Sequence, residues 1–158
     1  MEQIDFLKLA DLDDLKRIDD LAFPQDAEGR EIYEDRIKTF PAGCYKITLE
    51  GKMVGFLSSE LWSEYHPTIL NRKASLFHDP VGKIVFVSAL GIMPGYQGKG
   101  LGSRLLKMFI QKMKNDNRTS IYLRSANKAR PFYEKHGFTF VKQEEDNGTL
   151  NDILELKL

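Results

Sequence analysis

Hydrophobic positions along this chain switch between a period of two and a period of three to four, and each switch marks a predicted element. "IDFLKLA", residues 4–10, alternates as a first strand. Asp11 stands where a helix cap belongs, ahead of a helix predicted to run to about Leu21. After Pro24 a second helix is predicted in "EGREIYEDRIKTF", where Ile32, Tyr33, Arg36, Ile37 and Phe40 share one face. "CYKITLE" and "KMVGFLSSELW" read as a hairpin turned at Glu50-Gly51-Lys52. Ser63 to Pro80 has no clear period, and a loop of that length inside a small domain is more often functional than idle.

"KIVFVSALGI" is apolar on both faces, which predicts a central, buried strand. A glycine-rich turn follows, and then Leu105, Leu106, Phe109, Ile110 and Met113 form the buried stripe of a helix. "TSIYLRS" is another strand, and Asn127 opens a short helix that Gly137 ends. "FTFVKQE" and "LNDILELKL" flank Asn147-Gly148, a strong hairpin signal. The order β-α-α-β-β-β-α-β-α-β-β contains no repeat, low-complexity tract or linker. It predicts one mixed α/β domain over residues 1–158.

Composition narrows the function. Hydrophobic residues make up 42% and charged residues 29%, as in ordinary globular proteins. Lys+Arg and Asp+Glu balance at 23 each, which argues against nucleic acid or an anionic membrane as partner. The opening "MEQIDFLKLA" has acids where a secretion signal has bases, so a cytoplasmic location is expected. Cys44 is the single cysteine, which excludes an internal disulfide and a zinc site built on cysteine pairs; no metal is expected.

Five glycines fall between Gly91 and Gly102, directly before a helix. Such a cluster costs backbone entropy and signals close approach to the main chain. Free N–H groups at a helix start, on the positive end of the dipole, suit a phosphate, and Lys99 and Ser103 add a charge and a hydroxyl. A nucleotide P-loop needs G-x-x-x-x-G-K-[ST], which no register supplies. A dinucleotide fingerprint needs G-x-G-x-x-G early in the chain, whereas here the spacing is G-x-G-x-G and late.

Gln97-Gly98-Lys99-Gly100-Leu101-Gly102 instead fits Q/R-x-x-G-x-G/A, and on it the chain resembles the GNAT superfamily of acyl-CoA-dependent N-acetyltransferases. The resemblance implies a GNAT fold: a twisted, mostly antiparallel sheet of about seven strands, its parallel fourth and fifth strands splayed at the cofactor site, with about four flanking helices. It implies acetyl-CoA, its pyrophosphate cradled by Gln97 to Ser103, and a bulge within Ala89 to Ile92 whose backbone at Leu90, Gly91 and Ile92 pairs with the pantetheine arm.

Phe132-Tyr133-Glu134-Lys135-His136-Gly137-Phe138 fits a second GNAT pattern, F-Y-E-x-x-G-F. By that resemblance Tyr133 sits beside the CoA sulfur and protonates the leaving thiolate; the plain alternative is a core aromatic. A phenol of pKa about 10 is a workable donor to a thiolate of about 8.5. Asn127 resembles the residue that bonds the pantetheine arm, and it is equally a helix cap.

Within the superfamily, "GKMVGFLSSELW", "SALGI" and "ARPFYEKHGF" resemble the arylalkylamine (serotonin-type) N-acetyltransferases. Those enzymes have two histidines where this chain has Phe86 and Ser88. Three proton routes stay open: Ser88 orienting a water chain, a carboxylate or imidazole from elsewhere, and capture of the rare neutral amine. His66 and His78, with Glu64 and Asp79 beside them, are imidazole candidates or solvated loop residues. His136 reads as a helix C-terminal residue and Cys44 as a buried side chain.

The resemblance places the acceptor against Phe23, Pro24, Trp62, Tyr65 and Phe77, an apolar and aromatic wall. A small primary amine with an apolar or aromatic tail is the expected substrate, bound by a monomer or homodimer. A protein N-terminus, a polyamine, and a non-catalytic acyl-CoA sensor are the rival readings.

Overall fold

The computed structural model describes residues 1–125 and 128–158. Four helices and seven strands follow one another as β1 (Glu2–Phe6), α1 (Leu12–Ala22), α2 (Arg30–Thr39), β2 (Tyr45–Leu49), β3 (Lys52–Trp62), β4 (Ile84–Ile92), α3 (Leu101–Asn115), β5 (Ser120–Ser125), α4 (Arg130–Lys135), β6 (Thr139–Asp146) and β7 (Thr149–Lys157). The strands form one sheet in the order β1-β2-β3-β4-β5-β7-β6. Every neighbouring pair is antiparallel except β4 and β5.

Both short hairpins arise from local backbone chemistry. Glu50 and Gly51 take φ of 50° and 77°, and Asn147 and Gly148 take 51° and 77°. Two successive left-handed residues make the tight turn whose twist matches paired strands. Asp11 behaves differently from the expected cap of α1. Its carboxylate accepts from the Lys8 N–H at 2.8 Å and meets Lys46 Nζ at 2.9 Å, so it closes the turn before α1 and ties that turn to β2.

The helical stripes cover opposite faces of the sheet. Leu105, Leu106, Phe109 and Met113 of α3 pack on Leu57, Val85, Ile121 and Leu123. Leu12, Leu15 and Ile18 of α1, with Tyr33 and Ile37 of α2, pack on Met53 and Phe56. A side chain of this kind contributes about 1.5–3 kcal/mol when fully buried, so both faces fix the central strands firmly.

The pairing of β4 positions the site. On its β3 side β4 is matched from Trp62↔Ile84 to Gly55↔Ile92, with Ser58 opposite Ala89 and Ser59 opposite Val87. Ser88 is therefore the extra, bulged residue, just before the Ala89 to Ile92 stretch in which a bulge was expected. On its other side β4 meets β5 only from Ile84↔Ser120 to Val87↔Leu123. Past that point the β4 edge has no strand partner among the described residues.

The loop between β3 and β4 is fastened rather than free. Glu144 accepts from Tyr65 Oη at 2.5 Å, Thr68 N at 2.9 Å and Thr68 Oγ1 at 3.0 Å. Asp146 accepts from Leu70 N at 3.0 Å and from Arg124 at 2.9 Å. Glu28 accepts from Asn71 N at 2.8 Å. Partial burial works against both β6 carboxylates, but these donors outweigh it and hold Glu144 and Asp146 below the ordinary carboxylate range.

A carboxylate whose folded pKa is depressed contributes stability above its unfolded pKa and loses it as pH falls through the folded value. With ordinary carboxylates near 4, the melting temperature is expected to fall as pH drops from about 5 to about 3. Glu144→Gln should lower the melting temperature at pH 7 and flatten that acid limb. Calorimetry across this range checks both effects.

Candidate active site

Where β4 leaves β5, a cleft of about 780 Å³ opens. Leu90 and Ile92 of β4 form one wall, and Gln97, Gly98, Gly100, Leu101, Gly102 and Ser103 form another. The turn works through its backbone. Gly98 and Gly100 take φ of 76° and 81°, a region that side chains with a Cβ rarely adopt. Gly100 caps α3, whose first turn contains no acid, and the first helical bond runs from Arg104 N to Gly100 O at 3.0 Å. The N–H groups of Leu101, Gly102 and Ser103 therefore precede the helical ladder, at the positive end of its dipole. Lys128 and Lys135 also line the cleft and add cationic charge. A narrow apolar wall, free amides and lysines suit a pantetheine arm ending in a diphosphate.

Sequence-predicted residues divide around this cleft. Lys99 does not line it; its ammonium lies 5.5 Å from the Tyr96 ring centre. Gly91 has its own packing reason, since a Cβ there would come within 3.0 Å of both Phe23 and Phe56. Asn127 lies outside the described residues. Ser103 Oγ is 2.9 Å from His136 Nε2, which joins the start of α3 to the end of α4, a contact the sequence reading missed. Burial together with Lys107 and Lys135 lowers the His136 pKa, which favours the neutral ring.

A second cavity of about 100 Å³ adjoins the cleft. The two share Phe23, Asp26, Leu90, Ala129 and Tyr133. Tyr133 is thus at the junction of both, buried on α4, with Phe132 and Phe138 edge-on at 5.2 and 5.6 Å. Burial alone raises its pKa, so the phenol keeps its proton at neutral pH. Ser88, lifted out of register by the bulge, lines the inner cavity and places Oγ 2.7 Å from Ser58 Oγ.

Acidic and basic side chains also line the inner cavity. Asp19 is 1% exposed; burial raises its pKa, although it accepts from Tyr33 Oη at 2.7 Å and Glu28 N at 2.9 Å. Glu28 pairs with Arg36 at 2.8 Å, both buried, and Arg124 pairs with Asp146. Asp26 is exposed and makes no ion pair among the described residues. The sequence reading passed over Asp19 and Glu28 because a periodicity argument assigns charges to solvent; it placed Arg36 on the apolar face of α2, where the structure buries it, but gave it no role.

The expected aromatic wall splits. Phe23 lines both cavities and Pro24 lines the outer cleft. Trp62, Tyr65 and Phe77 line neither. Trp62 is fully buried and stacks on Phe86 at 4.6 Å, with Tyr65 edge-on at 5.8 Å. Phe77 stacks on His66 at 3.9 Å. His78 Nδ1 accepts from Leu61 N at 3.1 Å, and neither His66 nor His78 lines a cavity. Burial pushes the Cys44 thiol up to about 11, so it is an inert core group.

Residues 9–138 match the acetyltransferase (GNAT) family. No curated protein sequence matches the chain. Among solved structures, the loading GNATL domain of CurA from Lyngbya majuscula superposes with a TM-score of 0.87 at 21% identity, covering 99% of this chain and 98% of that one. The GphF GNAT-like decarboxylase, solved with isobutyryl-CoA, gives 0.86 at 17% identity and 98% coverage of each chain. The ribosomal-protein-S18-alanine N-acetyltransferase from Escherichia coli gives 0.76 at 19% identity, covering 99% of this chain and 94% of that one. At these identities the likeness is one of fold.

Gly102 offers a direct test of the cleft. A Cβ there meets Ile92 and Phe132 at an ordinary 3.5 Å, so alanine fits. The further methyls of Gly102→Val crowd the space beside the free amides. Acetyl-CoA affinity measured by titration calorimetry should fall at least about tenfold, or about 1.4 kcal/mol. Gly102→Ala should bind more tightly than Gly102→Val.

Proposed function

The chain belongs to the GNAT acetyltransferase family, and we propose that it transfers the acetyl group of acetyl-CoA to a small primary amine by direct attack. The observation that carries this reading is the meeting of a lysine-bearing cleft of about 780 Å³ and a small cavity bearing acids at one buried phenol, Tyr133. Family membership supplies the cofactor, acetyl-CoA, and the cleft's free amides and lysines fit it.

Bound acetyl-CoA contributes an activated thioester. This chain orients it: the start of α3 holds the diphosphate, and the unpaired edge of β4 lines the path of the arm. Tyr133 retains its proton until a thiolate forms beside it and then donates from Oη. An alkylammonium of pKa about 10 is only about one part in a thousand neutral at pH 7, a deficit of about 4 kcal/mol, so the inner cavity must favour proton loss. Both loop imidazoles lie outside it, which leaves the carboxylate and Ser88 routes with support. Asp26, facing both cavities and without an ion-pair partner among the described residues, meets an incoming ammonium. Ser88 and Ser58, 2.7 Å apart at the bulge, offer a hydroxyl pair through which a proton passes.

Charge also favours an amine over an anionic acyl group. Arg36 and Arg124, the inner cavity's arginines, are already paired with Glu28 and Asp146, while Asp26 is uncompensated. The narrower arylalkylamine reading lacks support. A cavity of roughly 150 Å³ holds one benzene ring, and the inner cavity is about 100 Å³. An indole would extend beyond it into the adjoining space.

Incubation with acetyl-CoA and a panel of amines, with products identified by mass, tests the reading. Acetylation of short primary amines is expected; acetylation of peptide N-termini or spermidine alone would overturn it. Tyr133→Phe should reduce kcat by about 10²-fold or more with little change in acetyl-CoA affinity, as removal of a positioned acid does. An undiminished kcat would take Tyr133 out of that role.

A further inference from the structure

The loop after β3 supplies three consecutive residues, Thr68, Ile69 and Leu70, to the lining of the inner cavity. Its main chain is held at this wall by three carboxylates: Glu144 at Thr68 N, Asp146 at Leu70 N and Glu28 at Asn71 N. The first two stand on the same face of β6, two residues apart, so the strand's own repeat matches alternate amides of the loop. Glu28 comes from the segment between α1 and α2 and is itself locked to Arg36. Asn71 completes the fastening: its φ is 60°, and its side chain accepts from Gly29 N at 2.9 Å. Charge-assisted bonds of this kind are roughly twice as strong as neutral ones, so three along four residues make a stiff wall rather than a yielding flap.

We infer that the pinned segment Thr68–Leu70 is the gauge that sets how long an acceptor the inner cavity admits. The inference rests on the proposed amine acetylation. At roughly 25 Å³ per non-hydrogen atom, the benzene figure, the cavity of about 100 Å³ holds about four such atoms. A primary amine of up to about three carbons fits with its nitrogen near Tyr133. A longer straight chain runs into Thr68–Leu70, and the pins keep the wall from receding.

The test is a ladder of n-alkylamines from ethylamine to hexylamine, with kcat/KM measured for the wild type and for Leu70→Ala, Ile69→Ala and Glu144→Ala. Ile69 is 50% exposed, so its truncation leaves folding intact if Leu70→Ala does not fold. In the wild type kcat/KM should fall at least about tenfold between propylamine and hexylamine. In each folded variant the hexylamine-to-propylamine ratio should rise at least about tenfold, through a shortened side chain at the wall or a released pin. A wild-type profile without a drop, or variants that keep the wild-type ratio, overturns the gauge while amine acetylation stands. A wild type that acetylates no amine overturns the parent reading itself.

Discussion

The site depends on one interruption in the sheet. β4 and β5 run parallel and pair for only four residues before parting. Unpaired backbone groups are costly when dry, and proteins ordinarily satisfy them with a neighbouring strand. Here β4 pairs with β3 along its length apart from the bulge at Ser88, while among the described residues its other edge has no strand partner beyond Val87. Two buried cores, one under α3 and one under α1 and α2, hold the sheet around this edge from its two faces. The glycine turn follows directly, so the strand with the open edge leads straight into the free amides at the start of α3.

Electrostatics divide the resulting space. The outer cleft has the positive end of a helix dipole and two lysines; in the inner cavity Asp19, Glu28, Arg36 and Arg124 are engaged in ion pairs, and Asp26, at the junction of the two, is not paired among the described residues. The charges of the outer cleft suit an anionic carrier, and the uncompensated Asp26 suits a cation. Tyr133 is common to both, and its burial keeps the phenol protonated at neutral pH. Overall neutrality of the chain hides this local separation.

What could be read from the sequence was what local chemistry determines. Glu50-Gly51 and Asn147-Gly148 make tight turns because their residues accept left-handed backbone, and the pattern required no tertiary knowledge. The turn at Gly98 and Gly100 and the position of Tyr133 on a short helix were legible for the same reason. What depends on distant partners was not. Thr68 and Glu144 are 76 residues apart, and nothing in either neighbourhood announces the bond between them. Asp19 and Glu28 look like solvated helix and loop acids until α2 and the β3–β4 loop fold over them. Trp62, Tyr65 and Phe77 have the composition of a substrate wall, yet none lines either cavity: Trp62 packs behind Phe86, Tyr65 on Trp62 and Tyr122, and Phe77 on His66. The bulge also falls at Ser88, a position set by the register with β3 rather than by composition.

Amide hydrogen exchange, read residue by residue with and without acetyl-CoA, tests most directly whether bare main chain holds the carrier. The account predicts new protection at Leu101, Gly102 and Ser103 together with at least one amide between Ser88 and Ile92. Saturating acetyl-CoA that leaves all of these amides exchanging at their free rates would contradict it.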